Sequence, residues 1–181
     1  MKNTRAVLLA TLLTALVYVA GQVLAAIPNV ELVTFLAFVA GFLLGPLLGA
    51  VVGGAGMAAH SLFNVMGMVA PPVWIAQWGA YALVGVAGAL AGPWIAGMRR
   101  RGLAAVVSGV TGAALVLFYQ AVVNAVSFVT FASGISVWVY VWGGIAFAAL
   151  QMIWNAALFA ALLVPTLHVL ARYRRELAVA R

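Results

Sequence analysis

The chain has 181 residues, 67% of them hydrophobic and only 6% charged, with a formal net charge of +7 and no cysteine. A soluble domain carries about 25% charged residues, so this chain lacks the polar surface to cover a core in water. It reads as an integral membrane protein with a single domain over residues 1–181. Without cysteine there is no disulfide, thiolate nucleophile or Cys metal site. The positive charge lies just outside apolar stretches, where it anchors topology and meets anionic lipid headgroups, so it is not a nucleic-acid signal.

The basic residues form three clusters: Lys2 and Arg5; Arg99, Arg100 and Arg101; and Arg172, Arg174, Arg175 and Arg181. Cytoplasmic loops collect Lys and Arg. Each cluster therefore marks a cytoplasmic point, and an even number of crossings separates successive clusters.

The first segment, Ala6–Ala26, follows the basic start and exceeds a signal-peptide h-region of about 7–15 residues. It is expected as a retained span. The break Ile27-Pro28-Asn29-Val30-Glu31 leads into Leu32–Leu44. At about 1.5 Å per residue, that segment falls short of a hydrocarbon core about 30 Å thick. It continues through Pro46, begins before Glu31, or dips and returns as a re-entrant hairpin; a full crossing is favoured because Leu47–Met66 alone is long enough. Gly45-Pro46 separates those two segments. Gly67 to Pro71-Pro72 precedes Val73–Met98. Beyond the arginines come Leu103–Val129 and Val137–Leu170, split at Ala132-Ser133-Gly134. The expectation is an all-α membrane protein, a bundle of six transmembrane helices with both termini cytoplasmic.

Small residues recur at four-residue spacing: Gly41, Gly45, Gly49 and Gly53; Gly85 and Ala89; Ala6, Ala10 and Thr14. Such residues share a helix face and let backbones approach closely. Most are read as packing within the bundle.

Polar side chains gather near the external ends of the segments: Gln22, Asn29, Glu31 and Thr34, then His60, Ser61 and Asn64, then Gln77 and Tyr81, then Tyr119, Gln120, Asn124 and Ser127. Gln151 and Asn155 lie deeper. Polar groups are costly in lipid and face the bundle interior, so this level is expected to hold a cavity open to the outside. Aromatic residues crowd the same level. Trp74, Trp138 and Tyr140 are divided between an interfacial belt and a pocket, whereas Trp78 and Tyr119 sit a turn inward and lean toward a pocket. The candidate binding residues are Asn29, Glu31, Thr34, His60, Asn64, Trp74, Gln77, Trp78, Tyr81, Tyr119, Gln120, Asn124 and Gln151. Glu31 stands at the start of the second segment, where it caps the helix or contacts ligand.

There is no G-x-x-x-x-G-K-[ST], no H-E-x-x-H and no G-x-S-x-G. His60 and Ser61 point to different helix faces, and no second metal-ligating side chain sits at helical spacing from His60. No catalysis, metal or cofactor is expected. The chain reads as a binder with no energy source of its own.

Ile27-Pro28-Asn29-Val30-Glu31, Val33-Thr34, Ala40-Gly41 through Gly45-Pro46, Gly49 and Gly53, followed by Trp74, Gln77, Trp78-Gly79, Leu83-Val84-Gly85 and Ala91-Gly92, resemble the substrate-binding S components of energy-coupling factor (ECF) vitamin transporters. The resemblance covers residues 1–100, and the remainder by topology only. It implies six helices with both termini inside the cytoplasmic membrane of a prokaryote. It also implies capture of a vitamin-like small molecule from outside. The partners it implies are a transmembrane T component and two ATPases, met through small residues of the first helix, here Ala6, Ala10 and Thr14. The Pro-Asn-Val-Glu and Trp-x-x-Gln-Trp elements look closest to S components linked to cobalamin or its precursors. His60-Ser61-Leu62-Phe63-Asn64 departs from the Ser-Asp or Ser-Asn pair expected there. Riboflavin, pantothenate, a thiamin precursor and a queuosine precursor therefore stay open. The rival readings are a small facilitator or channel, which needs a polar path through the inner half, and a membrane enzyme, which needs an acid–base pair.

The charge pattern fixes a labelling result. Val30→Cys, Ala70→Cys and Ser133→Cys are expected to react with an impermeant thiol reagent in intact cells, and Asn3→Cys, Arg100→Cys and Ala178→Cys only after permeabilisation. Labelling at position 100 in intact cells would refute the six-span topology.

Overall fold

The computed structural model describes residues 2–65, 67–132 and 134–178. The expected segment end at Met66, the break residue Ser133 and the terminal Arg181 lie outside the described residues. Among those described, the chain forms six helices and no strand: α1 (Lys2–Leu24), α2 (Val33–Leu44), α3 (Pro46–Leu62), α4 (Pro71–Ala96), α5 (Arg101–Phe131) and α6 (Val137–Ala178). Four of them, α1, α4, α5 and α6, are long and apolar enough to cross a membrane. With α2 and α3, which are shorter and apolar, they make a membrane-embedded helical protein.

Local chemistry sets the boundaries. Asn29 adopts φ 65°, a left-handed conformation that Asn tolerates better than most residues. The turn it makes stops the chain between α1 and α2. Glu31 then accepts a hydrogen bond from the Thr34 backbone N–H at 2.8 Å, satisfying one free donor of the first turn of α2 where the helix dipole favours an anion. At the other end Gly45, at φ 87°, closes α2 and Pro46 opens α3. Pro suits a first helical position because its missing N–H has no intrahelical partner there. Only Gly45 lies between α2 and α3, so α2 neither continues through Pro46 nor begins before Glu31.

Every residue of α2 except Leu36 is buried. A helix apolar on all sides belongs inside a bundle, and α2 is enclosed by α1, α3, α4 and α6. Glycines let it sit so deep. A Cβ on Gly41 would overlap the Gly85 carbonyl, one on Gly85 the Gly49 carbonyl, one on Gly88 the Phe38 carbonyl and one on Gly53 the Tyr81 carbonyl. These are contacts of backbone with backbone among α2, α3 and α4. Below them Phe38, Phe42, Val84, Ile95, Phe159, Leu163 and Leu167 are fully or almost fully buried. The ring of Phe159 meets Phe35 and Phe38 edge-on at 5.4 and 5.6 Å.

Contacts near the helix ends show which ends lie together. His168 of α6 sits 3.0 Å from the Ala96 carbonyl at the end of α4. The Arg174 guanidinium lies 5.0 Å over the Phe42 ring near the end of α2. Gln22 near the end of α1 reaches the end of α3, donating to the Phe63 carbonyl at 2.9 Å. The starts of α1, α3 and α5 and the ends of α2, α4 and α6 therefore share one end of the bundle, and the described arginines gather there.

Of the first-helix residues expected to meet a partner, Ala10 is buried within the chain, whereas Ala6 and Thr14 stay partly exposed. Ala10 is 6% exposed and belongs to the core. Ala6 and Thr14 are half-buried, and Thr14 returns its hydroxyl to the Ala10 carbonyl at 2.8 Å. Close helix approach has been used inside the bundle. The outward face of α1 instead carries Leu8, Leu12, Leu16 and Val19.

Two alanine substitutions on α4 separate close contact from open space. Gly85→Ala is expected to lower unfolding stability in detergent micelles by about 1–3 kcal/mol, the usual cost of overpacking. A Cβ on Gly79 meets nothing within 4 Å, and Gly79→Ala is expected to be neutral or to stabilise by up to about 1 kcal/mol through helix propensity. Equal loss in both would refute the backbone-contact account.

Candidate functional site

A cavity of about 360 Å³ opens at the end of the bundle away from the arginines. Its walls come from the end of α1 and the following turn (Gly21, Leu24, Ala25, and residues 27–31), from Val33 of α2, and from Met57, His60 and Asn64 in and after α3. Tyr81 of α4, Tyr119 of α5 and Phe147 and Gln151 of α6 complete them. The volume falls near the lower end of the roughly 300–1,000 Å³ typical of organic-ligand sites.

Seven expected binding residues line it: Asn29, Glu31, His60, Asn64, Tyr81, Tyr119 and Gln151. Three more stand directly behind the wall and fix it. Thr34, buried, places its hydroxyl 3.0 Å from the Tyr81 hydroxyl. Gln77 donates to the Tyr119 hydroxyl at 3.2 Å, and its Oε1 lies 2.6 Å from Ser61 Oγ. Gln120 donates to Gln151 Oε1 at 2.5 Å. The two tyrosine rings meet edge-on at 5.0 Å. Both phenols are therefore held by a partner on another helix, and the wall is rigid before any ligand arrives.

Three expected residues lie elsewhere. Trp78 is 47% exposed and rests against Gly54 on the outside of the α3–α4 pair. Its position one turn inward placed it on the correct level but on the wrong helix face. Trp74 spends its indole N–H on the Ala58 carbonyl at 3.0 Å, a tie between α4 and α3 outside the cavity. Asn124 reaches only Gln120, one turn away on α5, at 3.3 Å. Depth alone could not show that the cavity faces the other sides of α4 and α5.

The sequence reading missed Gly21, Met57 and Phe147. Two of them carry a helical-spacing signal: Met57 precedes His60 by three residues and Phe147 precedes Gln151 by four, so each shares a face with a polar residue already named. Gly21 is small because the His60 ring packs on it; a Cβ there would come 2.5 Å from Nδ1.

The polar inventory of the cavity is lopsided. Glu31 Oε1, Asn29 Oδ1 and His60 Nδ1 are buried and have no hydrogen-bond partner. Among the described residues no Lys or Arg lines the wall. The backbone beside these groups is anchored, since Trp154 Nε1 donates to the Glu31 carbonyl at 2.8 Å. Among the described residues no group of three or more His, Cys, Asp or Glu gathers as a metal would require. No family model, curated protein or solved structure matches the chain.

Gln77→Ala removes a partner of the Tyr119 hydroxyl and one of the two partners of the Ser61 hydroxyl, which keeps the Met57 carbonyl, and is expected to cost about 1–3 kcal/mol of unfolding stability. Trp78→Ala next to it removes a half-exposed ring and is expected to cost less. Thermal unfolding of the two variants in one detergent gives the comparison; the reverse order would place the structural polar network elsewhere.

Proposed function

We propose that the chain is the substrate-capture subunit, or S component, of an ECF-type importer of a vitamin-like micronutrient. In this reading it crosses the cytoplasmic membrane of a prokaryote six times, α2 being a short crossing, with both termini and all the arginines inside. It carries no catalytic function. It hands its ligand to a transmembrane T component driven by two ATPases.

The observation that carries the reading is a cavity at the end opposite the arginines. By the positive-inside rule that end faces outward. Toward the arginine end Phe38, Phe42, Phe159, Leu163 and Leu167 are buried, and the described polar side chains buried there, Ser108 and Asn155, bond back to their own helices, which leaves no polar path among the described residues. A channel or facilitator needs such a path, so the plug favours capture followed by a conformational change that a partner drives. The cavity also bears on the ligand. A corrinoid with its nucleotide loop is far larger than 360 Å³, so a compact micronutrient suits the site better than cobalamin. On α1, the partner face falls on the exposed stripe from Leu8 to Val19, flanked by half-buried Ala6 and Thr14, with Ala10 as internal packing.

Native mass spectrometry of the chain purified from a prokaryotic membrane in mild detergent is expected to show one small-molecule adduct. Tyr119→Ala is expected to lower its occupancy by about tenfold or more, since 1.4 kcal/mol suffices for that factor, while Trp78→Ala leaves it unchanged. Co-expression with a T component and two ATPases is expected to yield a complex and energy-dependent uptake. Passive flux of solute through the chain alone in proteoliposomes would overturn the capture reading.

A further inference from the structure

We infer that the ligand of this cavity is a compact organic cation, an aromatic compound bearing a protonated nitrogen, with Glu31 as its counter-charge. The inference rests on the capture reading above and names the chemical class that the site selects.

The argument begins with charge. The chain has two acidic residues, Glu31 and Glu176, and among the described residues Glu31 is the acid that borders the cavity. One of its oxygens caps α2 through the Thr34 N–H. The other, Oε1, is buried without a partner. A carboxylate withdrawn from water needs a cation or several donors. Among the described residues no Lys or Arg lines the wall, and the first arginine past the end of α4, Arg99, follows Tyr81 by 18 positions, roughly 27 Å at helical rise. The missing positive charge has to arrive from outside.

The remaining unfilled groups agree. Asn29 Oδ1 is a second buried acceptor with no donor, and it flanks Glu31 on the same turn. The turn that carries Glu31 therefore presents two unfilled acceptors, which suit a ligand that brings donors; His60 Nδ1, whose ring accepts from Asn64 through Nε2, is an unfilled donor across the cavity. The floor is the edge-on pair Tyr81 and Tyr119, whose ring faces attract a cation and whose hydroxyls are already committed to Thr34 and Gln77. A metal ion does not suit the site. One carboxylate without clustered acids or histidines falls short of the oxygen shell that hard cations demand, and the cavity is too large for a bare ion.

Three probes of one shape and different charge decide the matter: tryptamine (cationic), tryptophol (neutral) and indole-3-acetate (anionic), titrated against the isolated full chain in nanodiscs by calorimetry. Tryptamine is expected to bind at least about tenfold more tightly than tryptophol, equivalent to about 1.4 kcal/mol, with indole-3-acetate weakest. Glu31→Gln keeps an oxygen for the Thr34 N–H and is expected to erase the gap between amine and alcohol while leaving tryptophol affinity unchanged. Asn29→Asp, tolerated at the left-handed position, is expected to tighten tryptamine several-fold, a gain that misfolding would not produce. Alcohol binding equal to amine binding, a gap that persists in Glu31→Gln, or no amine binding at all would overturn the inference. These titrations need no partner subunit. Loss of uptake with the T component and ATPases present would sink the capture reading and leave the charge preference standing; absence of the charge preference with uptake intact would do the reverse.

Discussion

Backbone meets backbone at the centre of this bundle. Gly41 of α2, Gly49 of α3 and Gly85 of α4 are positions where a single methyl group would overlap a neighbouring main chain. In lipid there is little hydrophobic gain from bringing helices together, so close packing and shared polar contacts must hold them. The glycines allow α2, too short to cover a full bilayer comfortably, to be surrounded by protein. Once α2 is enclosed, its N-terminus is fixed at one depth, and so are Glu31, Thr34 and the turn before them. The site depends on that placement.

A second consequence follows for the polar side chains. Thr34 touches Tyr81, Gln77 touches Tyr119 and Gln120 touches Gln151, each pair bridging different helices. These links tie α2, α4, α5, α6 and, through Ser61, α3 at one level. Polar groups inside a membrane protein that satisfy one another act as structural ties. Those left over beside a cavity have another use. The division between the two sets separates the scaffold here from the groups available to a ligand.

Much of this was legible in the sequence because lipid imposes strong rules. The segment limits fell within a few residues of α1, α3, α4 and α5, since the turns are marked by clustered breakers and charge (Gly45-Pro46, Pro71-Pro72, Arg99-Arg100-Arg101), whereas single glycines and Pro93 and Pro165 sit within helices. The start of α6 was also visible, but its extent past Leu170 was not, because the amphipathic run Ala171–Ala178 has no breaker to end it. Depth was readable too, and it placed Asn29, Glu31, His60, Asn64, Tyr81, Tyr119 and Gln151 at the cavity level. Azimuth was not. Trp78 and Asn124 lie at the right height on the wrong side, because which face of α4 and α5 turns inward depends on glycine contacts made with helices far away in sequence. Ala10 is buried within the chain, and a small residue reads alike whether its neighbour is a helix of its own chain or of another.

The bond from the Trp154 indole to the Glu31 carbonyl joins the middle of α6 to the turn beside the cavity. The donor is a fluorophore, 36% exposed, and the acceptor belongs to the residue whose carboxylate faces the site. Any shift of that turn alters both the hydrogen bond and the polarity around the ring, the two quantities to which indole emission responds. The chain thus carries an intrinsic optical reporter of its own entrance.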